Sequence, residues 1–154
     1  MKVVIQTGRT AETIRIGKSI GSQLLPGDVV ALVGELGAGK TQFIKGLAAG
    51  AGIRNPAYIS SPSFTVINEY PGKTTFYHVD LFRLGEEKEA EELGLEEYFQ
   101  SKGITAIEWA DKIPSLFPKE LLLIRIAYAG RNRRSLEIIG NGKHYEEIVN
   151  QLRN

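Results

Sequence analysis

The sequence predicts an α/β domain on a mixed β-sheet with a parallel centre, antiparallel hairpin strands and flanking helices, and three features of the 154-residue chain point there. An apolar run over residues 28–33 enters a glycine-rich turn and leaves it into a helix-compatible segment, 42–48, the strand, loop and helix order of a parallel sheet. Strand-like and helical segments alternate along the rest of the chain. Two pairs of strand-like segments are joined by short polar turns, which read as hairpins and add antiparallel strands.

Taken in order, residues 2–6 read as a short strand. Residues 10–25 carry Ile14, Ile16, Ile20, Leu24 and Leu25 at spacings compatible with one buried helical face, stopped by Pro26-Gly27. Gly50-Ala51-Gly52 ends the helix after the glycine-rich turn, and 53–63 is a polar, Pro-containing connection. Residues 65–70 and 74–79 flank Pro71-Gly72-Lys73 as a hairpin. The acidic stretch 85–93 reads as a helix with a solvated outer face. Strands at 103–107, 121–128 and 135–140 and a terminal helix at 145–152 complete the pattern, which spans 1–154 as one domain.

Charged residues make up 24% and apolar residues 42% of the chain, as in a globular domain, and a net charge of +1 gives no general pull toward nucleic acid or membrane. With no Cys, a disulfide framework and a Cys-based zinc site are excluded. The first residues lack a long apolar run, and no segment approaches a membrane span. The expectation is a cytoplasmic protein with no membrane partner.

Residues 34–41, GELGAGKT, fit the spacing G-x-x-x-x-G-K-[ST] of a phosphate loop. Its glycines let backbone N–H groups close around phosphates, Lys40 can reach β and γ oxygens, and the Thr41 hydroxyl can hold Mg²⁺ at a helix N-terminus. Hydrolysis further needs acids that manage metal and water. Asp80 and Glu108 each end a β-rich run, and either can hold Mg²⁺ directly or through water; the run before Glu108 is the more apolar, as a central strand is. Ser61, Pro62, Ser63, Phe64 and Thr65 lie between the loop helix and the hairpin, where they serve as a capped turn or as a γ-phosphate sensor. Trp109, the one Trp, reads as core packing or as a lid. Arg131, Arg133 and Arg134 form a solvated hairpin tip or stack on a base. His78 and His144 have no partner at a spacing that assigns them chemistry. No Asn-Lys-x-Asp segment is present, which tilts the base toward adenine.

Four segments in order, GELGAGKT at 34–41, SPSFTVINEY at 61–70, YHVDLFRL at 77–84 and IEWA at 107–110, make the chain resemble the TsaE family, small bacterial ATPases of tRNA threonylcarbamoyladenosine biosynthesis. The resemblance implies that Gly37, Ala38, Gly39, Lys40 and Thr41, with Gln42 beside them, bind ATP or ADP. It implies that Thr41 and Glu108 hold Mg²⁺ and that Asp80 organises the metal or the attacking water, so that Lys40, Asp80 and Glu108 carry catalysis. It raises Ser61 to Thr65 to a switch loop and Trp109 to a gate. It also places one of Thr7, Thr10 and Thr13, with Thr10 chosen, and one of Arg131, Arg133 and Arg134, with Arg133 chosen, near the adenine. Ser63 stands where the family commonly has Thr, which keeps the hydroxyl.

The implied partners are a heterodimer of the sugar-kinase-like fold, the TsaB and TsaD type, with tRNA held indirectly through the complex. Hydrolysis by the chain alone is then expected to be weak, with Arg83 either the internal candidate for a finger-like group or a salt-bridge partner of the acidic helix. Two other readings compete: a small-molecule kinase using the same loop, and a nucleotide-sensing module without significant hydrolysis.

Overall fold

The computed structural model describes residues 1–35, 37–60 and 66–153. Among them seven strands form one sheet: β1 (Lys2–Thr7), β2 (Val29–Gly34), β3 (Ile67–Tyr70), β4 (Phe76–Asp80), β5 (Ile104–Glu108), β6 (Leu121–Gly130) and β7 (Arg133–Asn141). Their spatial order is β1-β7-β6-β2-β5-β4-β3. The helices are α1 (Thr10–Gly21), α2 (Lys40–Gly50), α3 (Glu87–Glu92), α4 (Leu95–Phe99) and α5 (Lys143–Leu152).

The predicted parallel centre is present: β2 pairs in parallel with β5 and β6, and β5 with β4. The predicted hairpins β3-β4 and β6-β7 are antiparallel, as is β1-β7. Because β2, β4 and β5 run the same way, the glycine-rich turn, Asp80 and Glu108 emerge at one edge of the sheet. That is where ligands bind in open α/β sheets.

Strand β2 explains why its sequence is continuously apolar. Val30 and Leu32 join a core with Ile20, Phe43, Ile44 and Leu47, while Val29 and Ala31 join a second core with Leu81, Ala90, Leu95 and Ile107. Both faces of the strand are covered, so no alternation survives in the sequence. Among the described residues no helix is long and apolar enough to cross a membrane.

Helix α1 departs from its expected form in two ways. It stops at Gly21, because the chain tightens there: Gln23 N–H donates to the Ile20 carbonyl at 2.9 Å, and the Asp28 carboxylate accepts the Leu25 N–H at 2.8 Å. Its buried residues are Thr13, Gly17, Ile20 and Gly21, while Ile14 and Ile16 are half-buried and Leu25 is exposed. Small residues carry this face because α2 lies against it at backbone distance. A Cβ on Gly17 would sit 2.6 Å from the Phe43 carbonyl oxygen, and one on Gly46 2.3 Å from that of Ile14.

The acidic helix is also shorter than predicted. It covers only Glu87–Glu92, and the separate helix α4 follows Gly94, whose φ of 70° breaks the run. Helix α5 is tied to the start of β2, since the Tyr145 hydroxyl accepts the Val29 N–H at 2.9 Å and His144 Nε2 lies 2.7 Å from the Asp28 carboxylate. Burial pushes the Tyr145 phenol up to about 12.

Candidate functional site

The turn after β2 reverses the chain through Gly37 and Gly39, with φ of 81° and 106°, and α2 begins directly at Lys40. Such φ values favour glycine. No side chain caps α2 and no acid stands in its first turn, so no protein carboxylate from that turn competes for its N–H groups or the positive end of its dipole.

Lys40 is buried and folded back over the turn. Its Nζ donates to the Gly34 carbonyl and, at 2.9 Å, to that of Glu35, and lies 4.1 Å from the centre of the Trp109 ring. Burial pushes the ammonium below its ordinary pKa, opposed by the charges of Glu108, Asp80, Asp111 and Glu35. The group therefore sits in a site already furnished with acids.

Thr41 Oγ1 donates to Glu108 Oε1 at 3.2 Å, joining α2 to the end of β5. Glu108 Oε2 lies 2.7 Å from His78 Nε2, and both of these residues are buried. Asp80 is the register partner of Glu108 on β4. Its Oδ1 accepts the Phe82 N–H at 2.9 Å. Burial raises its carboxyl above the usual range; the Phe82 amide works against this and the Glu108 charge adds to it.

The hydroxyl of Thr41 and the carboxylates of Glu108 and Asp80 are hard oxygen donors, few in number. That suits Mg²⁺, which keeps several waters and takes one or two carboxylates. Among the described residues no group of three His, Asp or Glu forms a protein-only metal cage.

Trp109 has left-handed backbone, φ 59° and ψ 38°, which turns the chain immediately after Glu108. Its half-buried ring meets Phe82 at 5.1 Å between centres, so it stands beside Lys40 and not in either core interior. Arg83 follows Phe82 in the exposed turn beyond Asp80. Ser61, Pro62, Ser63, Phe64 and Thr65 lie outside the described residues.

A cavity of about 150 Å³ opens on the other side of the turn, lined by Gly37, Ala38, Gly39 and Gln42, by Thr10 and Thr13 of α1, and by Asn132 and Arg134 of the β6-β7 hairpin. Thr10 is thus at the cavity, whereas Thr7 is buried with its hydroxyl 2.8 Å from that of Thr13. Of the three arginines, the structure brings Arg134 and not Arg133 to the turn. Arg134 Nε donates to the Ala38 carbonyl at 3.0 Å, and its guanidinium lies 4.4 Å from the Tyr128 ring centre.

Strand parity would have found Arg134: it shares a face with the buried Leu136 and Ile138, and Arg133 takes the opposite, exposed one. Tyr128, its register partner, would have followed. His78 carried no local signal, since its partner lies 30 positions away.

The family described as "Threonylcarbamoyl adenosine biosynthesis protein TsaE" matches residues 7–136. The chain is 42% identical over 148 residues to a Bacillus subtilis (strain 168) protein named "tRNA threonylcarbamoyladenosine biosynthesis protein TsaE", covering 96% of this chain and 91% of that one. A protein of the same name from Treponema pallidum (strain Nichols) is 36% identical over 127 residues, 82% of this chain and 93% of that one. The fold superposes on the crystal structure of Bacillus subtilis YdiB with a TM-score of 0.81 at 36% identity, over 99% of this chain and 95% of that one. With the family matched over most of its length and the relatives well above 30% identity, the chain belongs to the TsaE family of tRNA threonylcarbamoyladenosine biosynthesis proteins.

Proposed function

We propose that this protein is a Mg²⁺-dependent ATPase whose nucleotide cycle supports the enzyme complex that makes threonylcarbamoyladenosine in tRNA, beside the anticodon. One observation carries the reading: Thr41 at the start of the loop helix touches Glu108 at the end of the neighbouring parallel strand, at 3.2 Å. That contact brings a turn of phosphate-loop spacing together with an acid, and these two residues would hold the metal.

In this reading the N–H groups of residues 37–41 hold the β- and γ-phosphates, and Lys40 exchanges the Gly34 and Glu35 carbonyls for phosphate oxygens. Thr41 and Glu108, with Asp80 directly or through water, would hold Mg²⁺, which would supply electrostatic stabilisation of the phosphoryl charge. Asp80 Oδ1 is engaged by the Phe82 amide, so we assign Oδ2 to orienting the attacking water and holding its proton. Thr10, Gln42 and Arg134 stand around the cavity where we place the adenosine. The Ser61 to Thr65 segment and Trp109 are the parts we assign to reporting the nucleotide state to partners.

Those partners are the sugar-kinase-like heterodimer, which holds the tRNA. Assembly with it is expected to raise the weak hydrolysis of the chain alone; a supplied arginine is worth roughly 10³–10⁵ in rate in other phosphate-loop systems. Phosphate release from ATP, followed with and without the partner pair, tests the proposal. Activity should require Lys40 and Asp80 and rise with the partners. Stoichiometric phosphoryl transfer to a nucleoside or small alcohol would replace it with a kinase, and negligible ADP formation with partners present would leave a nucleotide sensor.

A further inference from the structure

His78 is a polar side chain of β4 that the ATPase mechanism leaves unused. It is fully buried, and its Nε2 lies 2.7 Å from Glu108 Oε2. A carboxylate that serves as a metal ligand accepts hydrogen bonds, so in the metal-binding form the donor of this contact is the imidazole Nε2. Among the described residues Nδ1, equally buried, has no hydrogen-bond partner. A buried polar atom left unmatched costs about 1–3 kcal/mol. An apolar residue at this position would avoid that cost, and the flanking positions show the preference: Phe76 and Val79 of the same strand are fully buried hydrophobes. The ring's one hydrogen bond here goes to Glu108, so the position serves that carboxylate.

We propose that His78 is a positioning residue that sets the metal preference of the site. By engaging Oε2 it leaves Glu108 to offer the metal one oxygen, Oε1, the atom already turned to Thr41. The inference rests on the reading of Glu108 as a metal ligand given above. A one-oxygen carboxylate beside a threonine hydroxyl fits Mg²⁺, which binds few protein oxygens and keeps its waters. Ca²⁺ gathers six to eight oxygens and readily takes a carboxylate through both. His78 thereby disfavours Ca²⁺ through a hydrogen bond and not through the size of the site.

Calorimetric titration of ADP binding at varied Mg²⁺ and at varied Ca²⁺ tests this on the full chain and on the His78→Leu and His78→Gln variants. His78→Leu should lose about tenfold in Mg²⁺ affinity, the low end of the effect of removing a hydrogen-bond partner from a metal ligand, while Ca²⁺ affinity holds or rises. His78→Gln, whose amide can donate to the same oxygen, should keep the Mg²⁺ preference. ADP affinity in EDTA should be the same in all three, because His78 acts through its hydrogen bond to Glu108 and not through the loop that holds the phosphates. His78→Phe, closer in volume, takes the place of the leucine variant should that one fail to fold. An unchanged Mg²⁺ to Ca²⁺ ratio, or loss of metal-free ADP binding in the variants, would overturn the inference. A wild-type chain whose ADP binding ignores both metals would overturn the metal-site reading itself, a result that needs no His78 variant to be seen.

Discussion

The Lys40 ammonium lies 4.1 Å from the centre of the Trp109 ring while bonded to the backbone carbonyls of Gly34 and Glu35. A phosphate that recruits this ammonium would compete with these carbonyls for it and shift it relative to the Trp109 ring. Because Trp109 is the single tryptophan, its fluorescence reports that movement. Titration with ADP or ATP should change the emission to a saturating value in the intact protein. Lys40→Ala should abolish the change and weaken binding about tenfold or more, the equivalent of a lost charge-assisted hydrogen bond. An unaltered response in the variant would detach Lys40 from the nucleotide.

Arg134 and Arg133 give a paired prediction. Arg134 holds the β6-β7 hairpin to the turn through the Ala38 carbonyl and lines the cavity, whereas Arg133 is exposed. Calorimetry should find ADP affinity lowered by about 1 kcal/mol or more for Arg134→Ala, in the range of a hydrogen bond from a charged group. Arg133→Ala should bind as the intact protein does. Equal losses would show that the hairpin acts through net charge alone.

Gly21→Ala tests the contact between α1 and α2. Alanine improves helix propensity by about 1 kcal/mol, but its Cβ would sit 2.1 Å from the Leu47 carbonyl oxygen, a backbone atom with little room to move. Overpacking should win, with a net loss of roughly 2 kcal/mol and a lower Tm. Gly8→Ala is the control, since the nearest atom to its Cβ would be a flexible Glu12 carboxylate oxygen at 3.9 Å. Denaturant unfolding of the two variants decides.

Tyr145 carries a pH signature. Its pKa is raised to about 12 in the fold against about 10 unfolded, so the stability it confers is complete below pH ~10 and declines as pH rises toward 12. Tyr145→Phe strands the Val29 N–H and should cost about 1–3 kcal/mol at neutral pH. The stability gap between the two proteins should then narrow above pH ~10, by about 1 kcal/mol or more at the alkaline end. A gap constant between neutral and strongly alkaline pH would contradict the assignment.

Where physics leaves a pattern in the sequence, the fold and the place of the turn, Asp80 and Glu108 at one edge of the sheet are legible. β2 is covered on both faces and reads as an unbroken apolar run, and the glycines of the turn stand where the backbone takes a positive φ, 81° at Gly37 and 106° at Gly39. The face of α1 was misread because Gly17 and Gly21 bury backbone against α2 without any hydrophobic signal. Alternation along β7 separates Arg134, which lines the cavity, from the exposed Arg133, a distinction that the unfixed register of the basic turn hides in the sequence. His78 was invisible for a different reason: its meaning comes from pairing two strands distant in the chain, which no local spacing encodes.

The most direct measurement combines this protein with the transferase heterodimer, tRNA and ATP, and counts threonylcarbamoyladenosine formed per complex, with the intact chain or with Lys40→Ala. Many modified tRNAs per complex are expected with the intact chain, and about one or fewer with the variant. Equal multiple turnover with both would contradict the claim that the nucleotide cycle at this site drives the protein's contribution.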